Sequence, residues 1–110
     1  MKLDPKMLYR NRQKEVAQDI MSWTDINIER IATSSLGTTM VSFCHQEPES
    51  SRFNVQTDRD KPVYTTVINN DKTFSCNCGY FTGKNKYLTG DYKKICKHLY
   101  LHSYFIKLTF

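Results

Sequence analysis

The sequence predicts an α+β domain: a small antiparallel sheet, laid out as a meander of hairpins, with one helix before it and one helix after it. Three observations predict this. An apolar stripe of helical period occupies the first 25 residues. A middle region breaks into short β-branched and aromatic runs separated by turn residues. A second helical stripe, uninterrupted by glycine or proline, closes the chain. At 110 residues, 39% of them hydrophobic, the chain has room for one domain with a small core. A helix over 1–25 and a sheet with its final helix over 26–110 are expected to form one compact unit.

The first helix is expected from about Pro5 to Ser22. Asp4 can cap it, and Pro5 suits the first helical position. Tyr9, Val16, Ile20 and Trp23 share one stripe. Arg10, Arg12 and Lys14 fall elsewhere, as a solvated face or as a minor second phosphate contact. The runs IERIAT, TTMVSFC, RFNVQT, PVYTTVI and KTFSC then read as strands. Gly37, EPESS, DRDKP and NNDK read as their connections. Alternation makes Phe53, Val55 and Thr57 face one way, and gives Val63, Thr65 and Val67 a shared face. In the last helix Ile95, Leu99, His102, Phe105 and Ile106 form the apolar stripe.

The charge is +5, and it is concentrated. Residues 1–30 carry net +1, residues 31–71 net −2, and residues 72–110 net +6, with seven basic groups against one acid. A basic surface of this kind points to nucleic acid or another polyanion. No stretch approaches the roughly 18 apolar residues of a membrane span, and no apolar segment follows Lys2, so neither a membrane partner nor a secretory leader is expected. The chain reads as intracellular. Its four cysteines are then ligands or core residues rather than a disulfide framework.

Three of those cysteines flank the basic segment. Cys76-Asn77-Cys78 is followed by seventeen residues and then by Cys96-Lys97-His98. Thiolate and imidazole are the ligands of structural zinc, held in a tetrahedron with Zn–S near 2.3 Å. Two sulfurs on one ion therefore sit roughly 3.8 Å apart, while residues i and i+2 of a straight strand are about 6–7 Å apart. The Cys76–Cys78 stretch must bend, and Gly79 is placed to help. Within a helix, residues i and i+2 diverge by about 200°, so Cys96 must stand before or at the helix start with His98 in its first turn. His102 leaves a second ligand set open: Cys76, Cys78, His98 and His102, with Cys96 in the core. The alternative for His102 is a packed, hydrogen-bonded helix histidine. Cys44-His45 has a run of its own, where core packing is the simpler role.

The stretch TFSCNCGYFTG…ICKHLYLHSYFIKL resembles the SWIM-type zinc finger, whose signature is CxC, a variable loop, then CxH. The resemblance is close over 73–105 and loose over 28–110; the N-terminal helix lies outside it. It implies one structural zinc ion on Cys76, Cys78, Cys96 and His98, with Tyr80 and Phe81 packed beneath. His102 departs from the usual pattern. SWIM modules occur in bacterial helicases, transposases, recombination-accessory proteins and ubiquitin-linked enzymes, so the resemblance implies binding to DNA or to protein. Short free-standing versions imply an archaeal, bacterial or viral source.

A site with four protein ligands has no open position, so a structural role follows and catalysis is not expected. No carboxylate pair or phosphate-binding glycine motif accompanies it, no small-molecule substrate is indicated, and the thiols a nucleophile or redox pair would need are the metal's. Between the pairs, Lys84 and Lys86 precede Tyr87, Lys93 and Lys94 follow Tyr92, and Lys97 comes after them. Lysines neutralise phosphates and aromatics stack on unpaired bases. These seven residues are the candidate contacts for nucleic acid, DNA before RNA, in an accessory role in recombination, replication or transcription. A protein adaptor, docking through the zinc finger and the N-terminal helix stripe, is the alternative.

Overall fold

The computed structural model describes residues 5–47, 49–79, 81 and 95–109. Helix α1 spans Pro5–Trp23, within one residue of the expected end. Gln13, Val16, Ala17 and Ile20 are fully buried on it, the i, i+3, i+4, i+7 spacing of one face. Of the expected stripe, Val16 and Ile20 are thus consumed by the core and Trp23 packs partly against it; the Tyr9 side chain lies outside the described residues. On the other side, the Arg12 guanidinium donates to the Asn70 carbonyl at 3.1 Å and pairs with Glu15 at 3.0 Å.

The run IERIAT is not a strand. It lies in a second helix, α2, Ile26–Ser34. Asp25 caps it in extended backbone conformation, its carboxylate accepting the Asn27 N–H at 2.8 Å. The Asp25 carbonyl takes the Glu29 N–H at 2.9 Å. β-branched residues lower helix propensity only by tenths of a kcal/mol, about as much as a good cap returns, so Ile28, Ile31 and Thr33 were no bar. Tertiary contact decides the matter: Ala32 is fully buried, and the Tyr100 hydroxyl reaches Glu29 at 3.3 Å. Asp25→Ala is expected to cost about 1 kcal/mol, read as a lower urea midpoint at unchanged m-value.

The remaining runs form strands β1 (Met40–Glu47), β2 (Ser50–Gln56), β3 (Tyr64–Asn69) and β4 (Phe74–Cys76). They pair antiparallel in the order β1-β2-β3-β4, the expected meander. Phe53 lies opposite Phe43 on one side and Thr66 on the other. The β1–β2 register shifts between Phe43 and His45. Ser51, Phe53, Val55, Thr57, Thr66, Ile68, Phe74 and Cys76 make the buried face, so Phe53, Val55 and Thr57 do point one way. Val63 is exposed, and Thr65 and Val67 share the outer face only half-buried.

The last helix, α3, spans Lys97–Thr109 and is the hub: it touches α1, α2, β2, β3 and β4. Leu99, Leu101, His102, Ser103 and Ile106 on it are fully buried. His102 lies flat on Phe53, ring centroids 3.9 Å apart. Its Nε2 is 2.9 Å from Ser51 Oγ and its Nδ1 is 2.7 Å from Thr66 Oγ1. Gln13 fixes the direction of these bonds. Its Nε2 faces the Ile68 carbonyl at 3.4 Å and Asn70 Oδ1 at 2.6 Å, so its Oε1 faces Ser51 and accepts that hydroxyl at 2.9 Å. Ser51 Oγ must then accept from His102 Nε2–H, and Thr66 donates to the bare Nδ1. One neutral tautomer satisfies the whole chain, which ties α1, β2, β3 and α3 together. Burial pushes the imidazole pKa down to about 3.

Candidate metal centre

Strand β4 stops at Cys76, and the chain turns out of the sheet there. Asn77 holds the turn: its side-chain oxygen accepts the Thr65 N–H of β3 at 2.9 Å, standing in for a ladder partner. Cys78 is thereby swung back beside Cys76. Gly79 is not needed for this bend. Its backbone is not left-handed, and an added Cβ there would meet nothing within 4 Å. The Asn77 side-chain amide takes the part expected of the glycine.

At the other end, Cys96 is the residue immediately before α3, and its carbonyl accepts the Tyr100 N–H at 3.1 Å. His98 lies in the first turn, as the geometry of an i, i+2 pair demanded. The ligand atoms of Cys76, Cys78, Cys96 and His98 all lie within 4.8 Å of one another, with Cys76 Sγ and His98 Nδ1 3.9 Å apart. All four residues are buried, none more than 4% exposed. Tyr64 leans on the His98 ring, centroids 4.6 Å apart, and Phe81 packs beside Phe74 under the site.

Three thiols this close cannot all ionise without a cation. Cys78 is held far below the usual thiol range, because the Cys76 and Cys96 thiols and the Phe81 N–H all donate toward its sulfur. Cys76, whose proton is held in the bond to Cys78, is pushed up to about 12. Burial first, and then its two thiol neighbours, push Cys96 well above the ordinary range. A divalent ion at the centre removes this conflict by drawing all three as thiolates. The donors fit one tetrahedral ion, soft enough for sulfur, and leave no position open. Holding such an ion, the cluster closes the connection between β4 and α3.

The alternative set with His102 fails: both His102 ring nitrogens are taken by Ser51 and Thr66. Cys44 and His45 lie on β1, but their side chains lie outside the described residues. So do Tyr80, Lys84, Lys86, Tyr87, Tyr92, Lys93 and Lys94. Of the seven candidate nucleic-acid contacts only Lys97 is described; it is half-buried between two ligands.

Beside the cluster lies a cleft of about 370 Å³ that sequence reasoning did not foresee. Ile28 and Ile31 of α2 form one wall, and Lys61, Pro62 and Tyr64 form another. Cys78-Gly79 and Cys96-Lys97-His98 close it. The missed signal was α2 itself: read as a strand, its isoleucines had no reason to meet Tyr64. Among the described residues, no helix is long and apolar enough to cross a membrane. No family model, no curated protein and no solved structure matches the chain, so the arrangement of these four ligands stands as its own description.

Proposed function

We propose that the chain is a zinc-stabilised nucleic-acid-binding module of SWIM type, acting on DNA in an accessory role in recombination, replication or transcription and without enzymatic activity. One observation carries this: the cluster gathers both ends of the segment 79–95, which holds Lys84, Lys86, Lys93 and Lys94. Zinc here supplies folding energy rather than reactivity. Fixing both ends of the segment at one cluster tethers its lysines and tyrosines to a single place on the fold, within the stretch 72–110 that carries net +6.

Anisotropy titrations of the zinc-loaded chain against single-stranded DNA, duplex DNA and RNA over a salt series test this. Changing Lys84, Lys86, Lys93 and Lys94 to Ala is expected to weaken binding. It should also flatten log Kd against log salt by about 0.7 for each single-strand phosphate that is no longer neutralised. Absence of binding at low salt sinks the proposal. The adaptor reading then takes its place, supported by exposed Ile26, Ile31 and Val63, while Val16 and Ile20 of the α1 stripe are used by the core.

A further inference from the structure

The cleft beside the metal cluster has two kinds of wall. Ile28, Ile31 and Pro62 are aliphatic, and Tyr64 adds an aromatic ring. Ile31 is 49% exposed, an apolar surface left open to solvent at the mouth. Among the described residues, the charged side chains lining it, apart from Cys78 and Cys96 whose thiolates would be engaged by the ion, are Lys61 and Lys97, and no carboxylate lines it, although Asp58 and Asp60 belong to the same β2–β3 connection as Lys61. An occupant should therefore be flat or apolar in its middle and anionic at its ends.

Position narrows this further. In sequence, the lysine-bearing segment 79–95 starts directly after Cys78 and ends directly before Cys96. Both roots of the loop thus line the cleft, and Lys97 continues the run of Lys93 and Lys94.

We infer that the cleft takes one unpaired nucleobase of a single strand, with Lys61 and Lys97 set against the phosphates on either side. The inference rests on the nucleic-acid reading above and adds to it the class of nucleic acid and the place where it is read. Unpaired bases present an apolar face that aliphatic and aromatic side chains can sandwich, whereas a paired base cannot leave its stack without cost. The module should then prefer single strands to duplex.

The test compares the zinc-loaded full chain on a short oligothymidylate, on the same oligomer made abasic, and on duplex DNA, by anisotropy and by amide chemical-shift mapping. Removing the bases is expected to weaken binding at least about fivefold, the effect of losing one stacked base. Ile31→Glu, a change at an exposed position, is expected to weaken oligothymidylate binding by a similar factor while leaving the amide spectrum that of a folded chain. Shifts at Ile28, Ile31, Lys61 and Tyr64 with oligothymidylate complete the expected result. Tight binding that depends on the loop lysines but ignores base removal, or that favours duplex, overturns the cleft inference and leaves the nucleic-acid reading intact. No binding of any oligonucleotide overturns both. Cleft shifts produced by an acidic phenylalanine-containing peptide, and not by oligothymidylate, overturn it in favour of a protein partner.

Discussion

Stripping the metal with a chelator, or changing Cys96 to Ser, is expected to abolish the cooperative thermal transition. Cys96 carries two duties: its thiol is one of four ligand donors, and its carbonyl takes the first hydrogen bond of α3. Loss of the ion leaves three or fewer thiols and an imidazole crowded in a buried pocket with no countercharge. Structural zinc contributes roughly 10–16 kcal/mol of apparent binding energy in small fingers, against a total stability of about 5–15 kcal/mol for an ordinary domain. A core shared by α1, α2, α3 and a four-stranded sheet in 110 residues has no margin of that size. Circular dichroism melts, paired with metal analysis of the same samples, decide it. A sharp transition in a Cys96→Ser chain shown to be metal-free would falsify the structural role.

A second large effect is expected in acid. The His102 pKa falls to about 3 in the folded chain, against about 6.5 for an unfolded histidine. The unfolded state thus binds the proton first. The stabilisation is complete above about pH 6.5 and is lost as the pH falls toward 3, at about 1.4 kcal/mol per pH unit. By pH 5 this amounts to about 2 kcal/mol. Metal release in acid adds a slope of its own, so the measurement is a comparison. A His102→Gln chain, which takes up no proton at this position, should show a shallower loss of urea stability between pH 7 and pH 5 than the parent. Nitrogen chemical shifts of the parent should report a neutral Nε2–H imidazole throughout that range. Equal slopes, or an imidazolium signature in the folded chain at pH 6, would remove His102 from the account. His102→Leu should cost at least about 2 kcal/mol at neutral pH, because Ser51 and Thr66 lose their buried partner.

The metal cluster was legible because its chemistry is local to two short words. Cys76-Asn77-Cys78 and Cys96-Lys97-His98 constrain their own backbones, and the structure places the α3 boundary where that constraint requires. The strands β1 to β4 were legible from alternation between turn residues. Helix α2 was not, because Ile and Thr bias a segment toward strand only weakly, and burial of Ala32 against α3 is a contact no local pattern announces. Its cap was there to be read in Asp25, four residues before Glu29. The partners of His102 come from positions 51 and 66, and the one that orients them from position 13. Such a network is assembled by the fold and leaves no periodic trace. Asn77 likewise reads as a spacer until Thr65 is found beside it.

The placement of Cys96 and His98 at the root of α3 sets the phase of that helix as a key sets a lock. Each residue inserted or deleted between His98 and Leu99 would turn everything beyond it by about 100°, carrying Leu99, His102 and Ile106 off the sheet together. Phe81 and Ile95, buried in the same core, belong to this counted frame as well. The thirteen residues between them, 82–94, include none of the four ligands, so a change of length there alters the spacing within neither ligand pair. The ligand cluster thus separates positions whose spacing is counted residue by residue from a stretch whose length enters neither ligand pair, and new binding specificities can be tried in the second without retuning the first.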